Sequence, residues 1–79
     1  MLTADGLLAF LEDDLGVDIQ DVDEDTPLFS SQLVDSFALV TLMMFVEREA
    51  GIRIAPADVN LDNMDTIGRM LAYANRVTA

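Results

Sequence analysis

The sequence predicts an all-α fold: a small four-helix bundle of three longer helices and one short one, with a long loop between the first and second. Three observations carry this. Apolar residues return at helical spacing in separate stretches. Residues that start and stop helices bracket those stretches, Thr3 with Gly16, Asp35 with Gly51, and Asp65 ahead of the last. Finally, 79 residues at 52% hydrophobic content hold enough apolar surface for one core, and too much for a disordered acidic chain. The expectation is one domain over residues 1–79.

Thr3 caps a first helix running to about Leu15, with Leu7, Leu8, Leu11 and Leu15 on one side and Asp5, Glu12 and Asp13 elsewhere. A connection from Val17 to Asp35 follows, long for so small a domain, with Val17, Ile19, Val22, Leu28, Phe29, Leu33 and Val34 to pin it across the helices. The second helix spans Ser36 to about Ala50 and is apolar on most sides, so it is expected at the centre, packed by all its neighbours. Ile52-Arg53-Ile54 reads as a short extended link ending at Pro56, and Ala57 to Met64 as a short helical turn with Val59, Leu61 and Met64 facing in. Asp65 is placed as cap of a last helix from Thr66 to about Val77, with Ile67, Met70, Leu71, Ala74 and Val77 as its apolar stripe. The Tyr73 ring is expected half buried with its hydroxyl in water. Leu42, Val46, Ile54, Ile67 and Leu71 are the expected core.

The chain has no Cys, His or Lys. That removes disulfides, thiolate nucleophiles, the commonest metal ligands and the usual general base, so an enzyme would have to rest on carboxylates and one Tyr. Net charge is −11, and residues 1–36 hold ten acids and no base. Such a surface repels nucleic acid and anionic membranes and favours partners with basic patches. No apolar run is long enough for a membrane span, and no basic stretch precedes an apolar one at the N-terminus; the expected location is cytoplasmic. Asp21, Asp23 and Asp25 share the spacing of the first ligands of a calcium loop, but Thr26 stands at the glycine position and Gln32 at the closing glutamate, so no metal site is expected.

One hydroxyl stands out. Asp35 is a strong cap, which leaves Ser36 in the first turn, beside unpaired backbone N–H groups at the positive end of the helix. A phosphate attached there would lie in favourable electrostatics. Ser30 and Ser31 lie nearby, but neither follows an Asp or opens a helix.

Leu33-Val34-Asp35-Ser36-Phe37, set at the start of a second helix after a long loop, resembles the acyl carrier and peptidyl carrier protein family, whose mark is an Asp-Ser pair followed by a large apolar residue. Asp25-Thr26-Pro27-Leu28-Phe29, Gly51-Ile52-Arg53-Ile54 and Asp65-Thr66-Ile67 extend the likeness over nearly the whole chain. The resemblance implies a 4′-phosphopantetheine arm on the Ser36 hydroxyl, with Asp35 as the cap beside it. A phosphopantetheinyl transferase would attach the arm from coenzyme A with a magnesium ion. Its terminal thiol would carry an acyl or aminoacyl group as a thioester from a loading enzyme to downstream biosynthetic enzymes, the carrier being a monomer without catalysis of its own. The start at Met1 with a helix capped by Thr3 points to a free-standing carrier.

Two departures matter. Phe37 stands for the commonest Leu, and Ala38 and Thr41 occupy positions often acidic in fatty-acid carriers. Both favour a discrete carrier of polyketide, non-ribosomal peptide or aminoacyl-transfer pathways over a fatty-acid type. An unmodified acidic adaptor, offering the apolar surface of helix 36–50 to a partner groove, is the alternative from another class. Taking Ser36 as outward-facing, Val40 and Met44 share its side and Phe37 flanks it, so these three form the expected partner-binding face.

Overall fold

The computed structural model describes residues 1–78; the last residue of the span expected to form one domain lies outside the described residues. Four α-helices appear, α1 (Ala4–Asp13), α2 (Ser36–Ala50), α3 (Leu61–Met64) and α4 (Ile67–Thr78), with a 3-10 turn at Pro56–Asp58 ahead of α3. The all-α bundle with a long first loop is therefore observed. None of the described helices is long and apolar enough to cross a membrane.

Local chemistry sets the helix ends. Thr3 is extended, and its Oγ1 accepts the Gly6 N–H at 3.0 Å, opening α1. The helix closes at Asp13 rather than near Leu15, because the Leu15 and Val17 N–H groups turn back onto the carbonyls of Phe10 and Leu11. At α2 both ends fall where the sequence places them: Asp35 Oδ1 accepts the Ala38 N–H at 2.8 Å, and Gly51 ends the helix. Gly51 lies in the left-handed region at φ 67°, where a Cβ would be strained.

The core is built from Leu7, Leu11, Leu28, Leu42, Val46, Met64, Ile67 and Met70, all fully buried. Among the expected core residues, Leu42, Val46 and Ile67 lie within it, whereas Ile54 and Leu71 are half-buried against its rim. Phe10, absent from the expected α1 stripe, is buried and stacks on Phe45 with ring centroids 4.3 Å apart. The loop is pinned mainly by Leu28 and Val34, while Leu33 stays exposed. It also lies close on α4, where the Gly68 N–H donates to the Glu24 carbonyl at 2.9 Å.

Several expectations fail on the α3–α4 side. The turn expected over 57–64 is split in two, and Leu61 and Val77 point to solvent rather than inward. Tyr73 is buried, and its hydroxyl donates to Asp58 Oδ2 at 2.8 Å instead of to water. Burial, then that bond and the charge on Asp58, push the phenol above its ordinary value. The cap of α4 is Thr66, whose Oγ1 accepts the Arg69 N–H at 3.0 Å; Asp65, expected in that role, is 6% exposed and serves the loop. Nor is α2 packed all round, since Phe37, Val40 and Met44 form an open face.

Candidate functional site

Two aspartates decide what surrounds Ser36. Asp35 takes the capping role through its carboxylate, which leaves the exposed Ser36 side chain, one residue on, free of it. Within the first turn of α2 itself there is no acid, so the Asp35 cap is the one carboxylate at this helix N-terminus, where the free N–H groups and the helix dipole favour a phosphate. The other loop hydroxyls are committed: Ser30 Oγ donates to Asp65 Oδ2 at 2.7 Å, and Ser31 Oγ donates to the Pro27 carbonyl. Of the three serines between residues 30 and 36, Ser36 is the one whose hydroxyl has no hydrogen-bond partner among the described residues.

The Asp65 carboxylate is the second organiser. Its Oδ1 accepts the N–H groups of Phe29 and Ser30, each at 2.9 Å, and its backbone carbonyl accepts the Leu28 N–H at 2.7 Å. Burial pushes this carboxyl up, but the bonds from Ser30 and Phe29, with the positive charge of Arg69, outweigh burial and hold it below the ordinary carboxylate value. Further back, Asp23 accepts from the Asp25 N–H and the Thr26 hydroxyl, which hold its carboxyl low as well. The acidic stretch spaced like a calcium loop is thus folded as a turn bonded to itself.

Beside Ser36 a cleft of about 240 Å³ opens between α2 and α3, lined by Phe29, Val34, Leu39, Val59, Leu61 and Met64 together with Asn60. The Asn60 amide is already engaged, accepting from the Asn63 N–H and donating to the Ala57 carbonyl, so the walls act as apolar surface. The sequence gives no sign of this cleft, because its walls come from two stretches far apart in the chain, 29–39 and 59–64. Along the open face of α2, Phe37, Val40 and Met44 are 88%, 64% and 64% exposed, so the three expected partner residues stand together on the surface, following Ser36.

A family model described as "Phosphopantetheine attachment site" matches residues 5–74. The chain belongs to the phosphopantetheine-binding carrier family. Its covalent group is phosphopantetheine, and an exposed hydroxyl at the start of a capped helix fits such a phosphodiester. Among relatives, this carrier is 32% identical over 68 residues to the acyl carrier protein of Thermotoga maritima, which spans 86% of this chain and 82% of the relative. It is 33% identical over 58 residues to the probable acyl carrier protein PigG of a Serratia species, spanning 73% and 67%. Among solved structures, a chain from "Crystal structure of FAD-dependent dehydrogenase" superposes on this carrier with a TM-score of 0.71 at 25% identity, over 82% of this chain and 92% of that one.

Proposed function

We propose that Ser36 is the residue that takes the phosphopantetheine, and that residues 1–79 act as one non-catalytic carrier domain holding an acyl or aminoacyl intermediate as a thioester. The observation that carries this is the division of labour at α2: Asp35 caps the helix, and the exposed Ser36 hydroxyl is left for chemistry. In the transfer, the Ser36 oxygen forms a bond to the phosphorus of coenzyme A that bears the pantetheine. The pyrophosphate bond breaks, adenosine 3′,5′-bisphosphate leaves, and the serine proton passes to a base of the transferase. The attached group supplies the thiol that this cysteine-free chain lacks. Ser36 holds the arm at the edge of the apolar cleft, and Phe37, Val40 and Met44 provide the surface on which loading and downstream enzymes dock.

A polyketide, non-ribosomal peptide or aminoacyl-transfer pathway is favoured over fatty-acid synthesis because Ala38 and Thr41 leave the α2 face uncharged near the arm. Intact-mass measurement after incubation with coenzyme A and a broad-range phosphopantetheinyl transferase tests the central reading. A gain of one phosphopantetheine unit, placed on Ser36 by fragmentation, is the expected result. An unchanged mass would return the unmodified adaptor to first place.

A further inference from the structure

We propose that Asp65 is a positioning residue for the modification of Ser36, acting through the 28–34 loop; this rests on Ser36 being the attachment site. Asp65 lies between α3 and α4, 6% exposed, and fixes three consecutive loop residues with four hydrogen bonds. Its carboxylate accepts from the N–H groups of Phe29 and Ser30 and from the Ser30 hydroxyl, and its backbone carbonyl accepts from the Leu28 N–H. From that anchor the loop returns at once: the Gln32 N–H donates to the Phe29 carbonyl at 3.0 Å and the Val34 N–H donates to the Leu28 carbonyl at 2.9 Å. Val34 is buried, and the next residue is the cap Asp35. One ladder of hydrogen bonds therefore runs from the α3–α4 junction to the residue that opens α2 and presents Ser36.

The carboxylate is available because Thr66 has taken over the cap of α4. A buried carboxylate is retained at a cost unless its bonds are made, and here both oxygens accept. Freed from this anchor, residues 28–34 would sample other arrangements, and the transferase would have to reorder them on binding. That cost falls on binding rather than on the chemical step, since the enzyme-bound loop is ordered in either case. An amide can stand in for the carboxylate: Asn Oδ1 would accept the two N–H bonds, and its Nδ2 would donate to a rotated Ser30 hydroxyl.

The test is steady-state pantetheinylation of wild type, Asp65→Ala, Asp65→Asn and Ser30→Ala, using coenzyme A and a broad-range transferase, with helicity checked by circular dichroism. For Asp65→Ala the KM for the carrier should rise roughly fivefold with kcat preserved, the effect of a competent loop populated about one-fifth of the time. Ser30→Ala, which removes a single bond at an exposed residue, should show a smaller rise in KM, and it carries the test if Asp65→Ala does not fold. Asp65→Asn should return to near the wild-type value, because its amide restores the loop's hydrogen bonds; the preserved kcat of the folded Ala variant is what loss of stability alone, by removing competent protein, would not give. Folded variants with wild-type KM, a fall confined to kcat, or an Asn variant as impaired as Ala would overturn the proposal while leaving Ser36 in place. A wild-type protein that gains no pantetheine would instead overturn the assignment of Ser36, and this inference with it.

Discussion

Asp35-Ser36-Phe37 opens α2 and Asp65-Thr66-Ile67 opens α4, an acid, a hydroxyl and a large apolar residue in each case, and the two segments are put to opposite uses. At α2 the acid caps the helix and the hydroxyl is left exposed. At α4 the hydroxyl caps, and the acid reaches into the loop. The contrast continues along each helix. One, four and eight positions after Ser36 stand Phe37, Val40 and Met44 in solvent; the same steps after Thr66 reach Ile67, Met70 and Ala74, at 0%, 0% and 6% exposure. Equal local signals thus yield a presented surface in one place and a structural joint in the other, and what separates them is the burial of the acid.

The comparison breaks most visibly at the hydroxyls. Ser36→Ala should abolish pantetheinylation by intact mass while circular dichroism keeps its helical signal, because the cap bond belongs to Asp35. Residual label on that variant, at Ser30, Ser31 or Thr66, would show that the wrong hydroxyl has been assigned.

Truncation along the two faces should separate stability from recognition. Ile67→Ala and Met70→Ala remove fully buried side chains and should each cost about 2–5 kcal/mol in urea unfolding, a large part of a small domain's stability. Phe37→Ala and Met44→Ala should stay within about 0.5 kcal/mol of wild type, as exposed substitutions do, yet weaken binding of the holo protein to its loading enzyme about tenfold, or about 1.4 kcal/mol. Because this face is apolar, its affinity should respond weakly to sodium chloride. A steep salt slope with both variants binding as wild type would mean that the acidic residues lead recognition, in the manner of a fatty-acid type of carrier.

The same pair shows how far the sequence could be read. Helix α2 was legible from Asp35 to Gly51 because its signals act within one turn: a carboxylate three residues from the N–H that it caps, and a glycine in a left-handed conformation. The prominence of Ser36 and its three apolar followers came from that same local reading. Asp65 carries an equally good local signal, and it misled, because its partners lie 35 and 36 residues away along the chain. Tyr73 misled for a related reason: a phenol with no neighbour in sequence to bond finds Asp58 fifteen residues back across the α3–α4 corner. The cleft beside Ser36 depends on residues 29–39 meeting residues 59–64, and periodicity within either stretch does not report it.

Next in size are the two acids themselves. Asp65→Ala leaves two backbone N–H groups and one hydroxyl of the loop without their acceptor, and should cost roughly 3 kcal/mol. Asp35→Ala removes one exposed cap bond and should cost about 1 kcal/mol. Equal losses from the two variants in urea unfolding would mean that the loop replaces Asp65 with water, and that the joint is weaker than its geometry indicates.

The smallest expected effect is in acid, and it follows from the direction of the Asp65 shift. Burial raises this carboxyl, but the bonds from Ser30 and Phe29 and the charge of Arg69 bring it below its ordinary value in the folded protein. The folded state therefore binds this proton less tightly than the unfolded chain does. Its contribution is present in full above the unfolded value of about 3.9 and is lost as pH falls through the lower folded value. Asp65→Asn keeps the hydrogen-bonding shape and removes the titration. Urea midpoints for wild type and Asp65→Asn should therefore be furthest apart near neutral pH, with wild type the more stable, and should converge as pH drops below about 4. A gap that is constant from neutral to acid pH would show that the Asp65 charge contributes nothing beyond its shape, and would leave the hydrogen bonds alone to explain why a carboxylate is buried at this joint.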